Sequence, residues 1–354
     1  MSKITKLNFE NETICVGLDV HKKNWKVQHR LNNIELSGFS QNPDPVTLAN
    51  YYQKNYPGAK INVVYEAGFS GFGIQRSLTR LGMECVVVNA ADVPSSDKER
   101  KRKDDNRDAR KLSRELADGS LRGIYIPTIE MEQARTLVRQ RFRLVQDQTR
   151  CKHRIRHLVL FSGLKLDVEN DRWNKFFLKA LEEGPYHTLA LKEAMQLAVD
   201  EYKALRSLIK EATLALRRLS LQSPFCEVQP YIQSISGIGL INGMVIQTEI
   251  QDIMRFKTLD SLCDYAGFVP DISSSDERMK VRGITRRCNG FLRHAIIESS
   301  WMIIRKDPAM FMKYKEYCKR MNTNKAIIRI ARHLLARIRM VWRDKKRYET
   351  GHVA

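Results

Sequence analysis

The stretch Ile14-Cys15-Val16-Gly17-Leu18-Asp19-Val20-His21 decides the fold of the first part of the chain. Apolar residues run through it almost without a break, which is typical of a buried strand. The stretch carries one carboxylate, Asp19, near its end. A charged side chain in such a run is costly to bury unless it is paired or bound to a metal ion. Asp19 is therefore the first candidate for a functional side chain.

Three further acids could join it. Glu66 ends a second apolar strand, and Asp105 and Asp108 lie where a helix is predicted to begin. Asp105 and Asp108 share a helical face at i, i+3, whereas Asp104 and Asp108 share one at i, i+4, so spacing alone leaves the register open. Two strand-end acids and a helical pair of acids could converge on hard cations, which prefer oxygen ligands.

The ordinary interpretation of each acid is structural. A lone strand-end acid is more often a cap or a salt-bridge partner, and an acidic pair at a helix start is usually a solvated first turn favoured by the helix dipole. The four acids together match the needs of two-metal phosphoryl transfer, and the Lys- and Arg-rich segment 97–111, which contains Asp105 and Asp108, would suit phosphates near the acids.

Composition points to a polyanionic partner. The chain has 354 residues and a formal net charge of +21, an excess that nucleic acid explains better than a membrane surface, because no lipidation motif or basic amphipathic N-terminal helix is visible. No apolar run reaches transmembrane length and no signal-peptide core is present. The seven cysteines form no CxxC pair, which favours reduced thiols in a cytosol over structural zinc or disulfides.

Three regions are expected. Residues 1–125 alternate short apolar strands with helical patterns, which predicts an α/β layer with a mixed sheet. Residues 126–222 are helical in pattern, and two long segments, 131–160 and 189–221, predict a coiled-coil hairpin or assembly arm, with a solvated spacer as the equally good alternative. Residues 223–354 are mainly helical. The segment Ile235-Ser236-Gly237-Ile238-Gly239 resembles a helix-hairpin-helix turn, in which Gly237 and Gly239 would offer backbone N–H groups to a phosphate, although a simple tight turn fits as well.

A triple serine, 273–275, precedes a cluster of arginines. Such a run is usually only a loop, but a serine held among cations could attack a phosphodiester while the cations stabilise the transition state. The arginines taken as candidates for nucleic-acid binding are Arg282, Arg286, Arg287 and Arg293. A closing helix over 324–342 is expected to pack one face and present the other to nucleic acid.

These residues in this order resemble the insertion-sequence-110 family of transposases, including its 1111 branch and the related Piv-type DNA invertases. The resemblance covers most of the chain, and no single motif carries it alone. Its N-terminal motifs are Gly17-Leu18-Asp19-Val20-His21-Lys22, Tyr65-Glu66-Ala67-Gly68 and the segment 103–110. Its C-terminal motifs are Ser236-Gly237-Ile238-Gly239, Arg255-Phe256-Lys257, Ala266-Gly267-Phe268-Val269-Pro270, the serines and Gly283-Ile284-Thr285-Arg286-Arg287.

The resemblance implies a RuvC-like, RNase H-type first domain with a DEDD tetrad that binds Mg2+. Matched residue by residue, the tetrad is Asp19, Glu66, Asp105 and Asp108. The helical middle would serve assembly, and the last domain would carry a nucleophilic serine, Ser275, with Ser274 as the alternative. The family forms a phosphoserine link to DNA, acts as a dimer or tetramer with shared active sites, and is guided by a noncoding bridge RNA that pairs with donor and target DNA.

Three positions depart from the family pattern. Asp276 and Glu277 follow the serine where glycine is usual, Asp104 stands where threonine is usual, and Cys288 replaces a glycine. The first departure puts the alignment of the serine loop in question. None of the three removes a chemical group that the mechanism needs.

With this resemblance, the sequence predicts an RNA-guided DNA recombinase or transposase, located in the bacterial cytoplasm in association with the nucleoid and without a membrane partner. Two other functions compete with it. A RuvC-type structure-specific nuclease would use water as its nucleophile and would need the acids but not Ser275. A non-catalytic nucleic-acid-binding protein would tolerate loss of both Asp19 and Ser275, and its affinity would depend on salt and on Lys and Arg content.

Overall fold

The computed structural model describes residues 8–32, 34–94, 105–168, 170, 172–275 and 278–351. For residues 105–106, 272–275 and 278–282 it describes the backbone alone. The chain divides into two compact units, Met1–Ile126 and Pro127–Ala354. The boundary predicted near residue 222 falls inside the second unit, so the division of the helical part into two domains stays a prediction.

A mixed sheet forms the first unit, as the strand pattern predicts. Its strands are β1 Thr13–Val20, β2 Trp25–Leu31, β3 Ile34–Glu35, β4 Phe39–Gln41, β5 Lys60–Glu66 and β6 Glu84–Val88. Strand β1 lies at the centre, antiparallel to β2 and parallel to β5, which is in turn parallel to β6. The order is β3-β2-β1-β5-β6, with β4 also paired to β2.

The two faces of β1 have different neighbours because side chains alternate along a strand. Ile14, Val16 and Leu18 point into a core that also contains Trp25 and Tyr65. Helices α1, Pro45–Asn55, and α2, Gly73–Arg80, contribute Leu48, Tyr52 and Leu78 to this core. Helix α3, Asp105–Ala117, packs on the opposite face. The face that carries Asp19 is thus the face that α3 crosses.

Two long helices begin the second unit. Helix α4, Ile129–Phe161, and helix α6, Leu189–Ser220, run antiparallel, since Arg141 meets Thr213 and Arg154 meets Glu201. This confirms both predicted helices to within about two residues at each end. The sequence interpretation missed the short helix α5, Lys175–Glu182, whose Phe177 and Leu181 pack between them near Cys151 and Val199.

The rest of the second unit is mainly helical. Its core is built around the last helix, Thr323–Asp344, which is buried along Ile327, Ile330, Leu334 and Ile338. The helices are α7 Phe225–Gln233, α8 Leu240–Ile250, α9 Leu259–Ala266, α10 Gly290–Ile303, α11 Pro308–Cys318 and α12 Thr323–Asp344. In the part of the chain that the structure describes, no helix is both long enough and apolar enough to cross a membrane.

A two-stranded hairpin interrupts these helices. Strand β7, Pro270–Ser275, pairs antiparallel with β8, Arg278–Ile284. The triple serine therefore lies on a strand, and the loop expected from its composition is wrong. Serine is compatible with either conformation, and here the backbone pairing with β8 decides.

Candidate active site

Asp19 and Glu66 come from neighbouring parallel strands. The β1–β5 register pairs Gly17 with Val64 and Leu18 with Tyr65, so the next step along both strands brings Asp19 beside Glu66. Residues at matched positions of adjacent strands point to the same face. Because Leu18 and Tyr65 face the core under α1 and α2, Asp19 and Glu66 face the other way. The sheet thus brings together two of the four predicted acids.

Helix α3 lies against that same face. A side chain at Gly17 would place its Cβ only 2.1 Å from the carbonyl oxygen of Ala109 and 2.6 Å from the backbone nitrogen of Ser113. The helix and strand are therefore in backbone contact two residues from Asp19. Asp108 is half-buried and lies one helical turn before Leu112, which also contacts Gly17. The third acidic segment is thereby brought to the face of the sheet that carries the first two.

The remaining acid is placed only by its backbone. Asp105 is the first residue of α3, one turn before Ala109, and Asp104 lies outside the described residues. Among the residues whose side chains the structure describes, no three His, Cys, Asp or Glu gather closely enough to hold a metal ion. Asp105 is not one of those residues. The four-acid set therefore stays a prediction, with two members adjacent in the sheet.

His21 contacts the first carboxylate directly. Its Nε2 lies 2.9 Å from Oδ2 of Asp19, and the side chains of His21 and Asp19 are 42% and 21% exposed. Asp19 is thus held at the surface end of β1 instead of being sealed in the core. Accessible carboxylate oxygens are the ligands that hard divalent cations such as Mg2+ prefer, so the donor set fits the expected metal. The identity of the metal is a prediction.

The serine hairpin sets the cross-strand neighbours of the candidate nucleophile. Its register pairs Ser275 with Arg278, Ser274 with Met279 and Ser273 with Lys280. Ser275 is therefore the last residue of β7 and is paired in the register with an arginine, and Asp276 and Glu277 lie outside the described residues. Of the two candidate serines, only Ser275 has a cation as its register partner.

Arg293 ties together the base of this hairpin. Its Nε donates to the carbonyl of Ala266, and its Nη2 donates to the carbonyls of Gly267, at 2.9 Å, and of Thr285. Gly267 precedes β7 and Thr285 follows β8, so one guanidinium joins both ends of the hairpin. This is a structural role for a residue predicted to bind nucleic acid. Contact between Arg293 and nucleic acid stays a prediction.

A buried ion pair supports the same region, and the sequence interpretation missed it. Glu249 of α8 is fully buried, and its two carboxylate oxygens accept from Nε and Nη2 of Arg139, each at 2.8 Å. Asn289 donates to the same carboxylate at 2.8 Å and caps α10 by accepting from the backbone nitrogen of Leu292. The network links the long helix α4 to the connection between β8 and α10. Its sequence signal was a single acid in the otherwise uncharged segment 240–250.

The other residues predicted to bind nucleic acid lie at the end of β8 and in the turn before α8. Arg286 and Arg287 are exposed just beyond β8, and for Arg282 the structure describes only the backbone. Gly237, at φ 99°, packs against α10, since a Cβ there would lie 2.9 Å from the backbone nitrogen of Ile303. Gly239 precedes α8, and a Cβ there would meet nothing within 4 Å. The glycine turn is thus observed, while its phosphate-binding role stays a prediction.

Comparison with known families gives two matches. Residues 16–162 match a model described as Transposase, of the DEDD type of IS110, and residues 229–316 match one described as Transposase IS116/IS110/IS902 family. Together they cover 235 of the 354 residues. The first match contains all four predicted acids, and the second contains the glycine turn, the serine hairpin and Arg293.

Individual relatives are similar at moderate identity. The Sinorhizobium fredii protein y4qE, whose name describes a transposase, is 29% identical over 241 residues, which are 67% of this chain and 57% of that protein. The transposase for insertion sequence element IS1533 of Leptospira borgpetersenii is 24% identical, over 68% of this chain and 70% of that protein. The transposase for insertion sequence element IS1111A of Coxiella burnetii is 23% identical, over 76% of this chain and 74% of that protein.

Proposed function

The chain belongs to the IS110 family of transposases, and from this premise we propose that it recombines DNA by cutting and rejoining strands through phosphoryl transfer. The observation that carries the proposal is the β1–β5 register, whose last pair is Leu18 with Tyr65, so that Asp19 and Glu66 follow at the next positions of adjacent strands. They belong to the face crossed by the helix that bears Asp108. Carboxylates arranged around an accessible sheet edge are suited to a scissile phosphate and its counterions. The excess of 21 positive charges suits the polyanionic substrate.

Asp19, Glu66, Asp105 and Asp108 are proposed to hold divalent cations, with Mg2+ as the expected metal. Such ions, when bound, neutralise charge on the phosphate and lower the barrier to in-line displacement. The protein's own contribution is to fix the carboxylates. β1 and β5 orient the first two through backbone pairing, and α3 brings the helical acid to the same face.

Ser275 is proposed as the nucleophile, with Ser274 as the alternative. The Oγ–phosphorus bond would form as one phosphorus–oxygen bond of the DNA backbone breaks, and the departing DNA oxygen takes up a proton. Attack by a DNA hydroxyl on the phosphoserine would then rejoin the strand and release the serine. The backbone register that pairs Ser275 with Arg278 supports this choice, because a guanidinium close to the attacking oxygen would stabilise negative charge that develops in the transition state.

The partners proposed are donor DNA, target DNA, a noncoding guide RNA and further copies of this chain in a dimer or tetramer. The family resemblance suggests the RNA and the oligomer. The RNA can be tested by purifying the protein without nuclease and sequencing the RNA that accompanies it. A single abundant species with one defined end supports guidance, whereas a random mixture contradicts it.

A trapping assay tests the chemistry. The protein is incubated with end-labelled element-junction DNA, its candidate RNA and Mg2+, and denatured protein is examined for label. We expect label on the wild type and on Ser274→Ala, and none on Ser275→Ala, Asp19→Ala or Glu66→Gln. DNA binding by these variants, measured in parallel, should persist because it depends mainly on Lys and Arg contacts.

Two outcomes would overturn this mechanism. Cleaved DNA without labelled protein, unaffected by Ser275→Ala, would indicate a hydrolytic nuclease that uses water. Binding that is retained with no cleavage by any form of the protein, in the presence of its RNA and metal, would indicate a binding protein. Label lost in Ser274→Ala but retained in Ser275→Ala would reassign the nucleophile.

A further inference from the structure

A row of three side-chain positions crosses the sheet at the level of Asp19. The β1–β2 register pairs Asp19 with Lys26, and the β2–β4 register pairs Lys26 with Ser40. Residues paired across antiparallel strands lie on the same face, so all three belong to the face that α3 crosses. Trp25 and Val27, on either side of Lys26, are buried in the opposite core, which confirms this alternation.

A groove lies along this row, between the sheet and the helix. Lys26, Gln28 and Ser40 line it from the sheet, and Ala109 and Arg110 line it from α3. Gly38 also lines it, and a Cβ there would lie 2.3 Å from Oε1 of Gln28, so the absence of a side chain keeps the floor open. The groove is thus a built concavity beside the carboxylates and not a flat stretch of sheet.

The charge of the groove favours an anion. None of the described residues that line it is acidic, and two of them, Lys26 and Arg110, are cations. Arg110 is oriented from the side by Glu35, whose Oε1 lies 2.7 Å from its Nε, and Glu35 also lies 3.6 Å from Nη1 of Arg30. With Arg30, Glu35 and the Asp19 end of the row also counted, three cations lie here against two acids.

Lys26 is the informative residue. A lysine opposite an aspartate in an antiparallel pair usually forms a cross-strand ion pair. Here the ammonium group of Lys26 makes no salt bridge with Asp19 or with any other acid in the described ranges, and the described partner of Asp19 is His21. Lys26 is only partly exposed and is held within the sheet, so its charge is directed into the groove with no counterion among the described residues.

We propose that Lys26, Ser40 and Arg110 form a subsite for a phosphodiester group of the nucleic-acid strand that passes over the carboxylates. Adjacent β-strands lie about 4.8 Å apart, so Ser40 is roughly 10 Å from Asp19. A phosphate that neighbours the scissile one on the same nucleic-acid strand could therefore reach Ser40. The subsite would hold that strand in register with the cutting position. This inference rests on the proposed function for what occupies the carboxylates, while binding in the groove can be tested without cleavage.

The experiment compares Lys26→Met with Lys54→Met in the full-length chain. Lys54 lies in the last turn of α1, which covers the other face of the sheet, so the control removes the same charge away from the groove. The probes are element-junction duplex DNA and a single-stranded RNA of the same sequence, titrated without divalent metal at several salt concentrations. Loss of one phosphate contact should weaken binding about fivefold near 0.15 M salt and reduce the slope of log K against log salt by about 0.9. Lys54→Met should change neither quantity.

Methylphosphonates, which carry no charge, can show which phosphate contacts Lys26. In the duplex, single methylphosphonates replace each phosphate around the junction in turn. One position near the cut should weaken binding to the wild type but not to Lys26→Met, because the contact is already lost. If Lys26→Met weakens binding to the DNA probe alone, the subsite belongs to the DNA strand, and if it weakens binding to the RNA probe alone, the subsite belongs to the RNA.

Two results would overturn the subsite. The first is equal affinities and salt slopes for Lys26→Met and Lys54→Met with both probes. The second, where Lys26→Met weakens DNA binding, is a methylphosphonate profile identical in the wild type and Lys26→Met. If Lys26→Met does not fold, Ser40→Glu decides. Ser40 is exposed, so this variant should fold, and its negative charge should weaken binding at least as much as the loss of Lys26. Unchanged binding by folded Ser40→Glu would also refute the subsite. If the protein binds nucleic acid with the predicted salt dependence but never cuts DNA, the proposed function is refuted and the phosphodiester subsite still stands.

Discussion

At Gly17 a single hydrogen atom in place of a side chain lets α3 approach the sheet. The Cβ of an alanine there would lie 2.1 Å from the carbonyl oxygen of Ala109, which is backbone and cannot rotate away. Gly17→Ala should therefore push α3 outward and destabilise the first unit by about 1–3 kcal/mol, the usual effect of overpacking. Chemical denaturation followed by hydrogen exchange in β1 measures this change.

A glycine with open space provides the control for that prediction. Gly73 begins α2, and a Cβ there would meet nothing within 4 Å. Gly73→Ala should leave the free energy of unfolding within about 0.5 kcal/mol of the wild type. Equal stabilities for the two variants would contradict the close contact between α3 and β1. Cleavage should also fall in Gly17→Ala alone, since α3 carries Asp108.

His29 gives the first unit a dependence on pH. Its ring is buried among Phe39, Tyr51 and Tyr52, its Nδ1 lies 2.9 Å from the Tyr52 hydroxyl, and burial lowers the pKa of His29 below its ordinary value of 6.5. Below pH 6.5 the unfolded chain binds a proton at this residue more readily than the folded chain. Stability of the first unit should therefore fall as pH drops from 6.5 towards the lowered pKa.

His29→Gln tests this assignment, because glutamine keeps a polar group near Tyr52 and does not titrate. We expect its free energy of unfolding, measured by exchange of β2 amides, to be lower overall but flatter between pH 6.5 and 5. His333→Gln is the control, since burial also lowers the pKa of His333, in the second unit. A slope in the first unit that persists in His29→Gln would show that another group is responsible.

At the scale of elements, the ion pair of Glu249 joins α4 to α8 and to the start of α10. Glu249 has no solvent exposure, so removing its charge takes the carboxylate away from the guanidinium groups of Arg139 and Arg135, which are themselves only partly exposed. Breaking a buried ion pair in this way costs about 3–5 kcal/mol. Glu249→Gln should lower the stability of the second unit by that amount, as measured by denaturation followed through its tryptophans.

The long helices offer a matched comparison. Glu201 of α6 also pairs with an arginine of α4, Arg154, but the two side chains are 46% and 56% exposed. Glu201→Gln should cost less than about 1 kcal/mol, because water solvates both charges and weakens their attraction. If Glu249→Gln and Glu201→Gln destabilise equally, burial is not what gives the Glu249 pair its strength.

At the scale of the whole molecule, the proposed acids and the proposed serine belong to different compact units. Asp19 lies in the unit Met1–Ile126 and Ser275 in the unit Pro127–Ala354. The family resemblance suggests active sites shared between subunits. If so, Asp19→Ala and Ser275→Ala chains, each inactive, should regain cleavage when expressed together, because one composite site then carries both intact groups.

The control for this experiment is a pair of lesions in one unit. Asp19→Ala expressed together with Glu66→Ala should stay inactive, since every acidic site formed carries a defect. Recovery is measured as junction DNA cleaved per total protein. No recovery in the first mixture, with subunits shown to exchange by differential tagging, would place each complete site within a single chain.

The sequence by itself determined the elements that depend on local pattern. An apolar run marked β1 and its single acid, helical periodicity located α4 and α6 to within about two residues, and 61 Lys and Arg against 40 Asp and Glu indicated a polyanionic partner. Periodicity and composition are properties of neighbouring residues, so they can be recognised before the chain folds. Helix α5 was not predicted, because its eight residues are too few to show a clear helical periodicity.

Only the tertiary structure decided which residues meet. The register of β1 with β5 pairs Leu18 with Tyr65, the residues directly before Asp19 and Glu66, and the register of β1 with β2 places Lys26 opposite Asp19. A shift by one residue would turn each of these side chains to the other face, and strand composition alone does not exclude it. The same holds for Glu249 and Asn289, 40 positions apart, and for the serines, which are strand because β8 pairs with them. Pairing between distant segments depends on the packed core as a whole, and no local pattern encodes it.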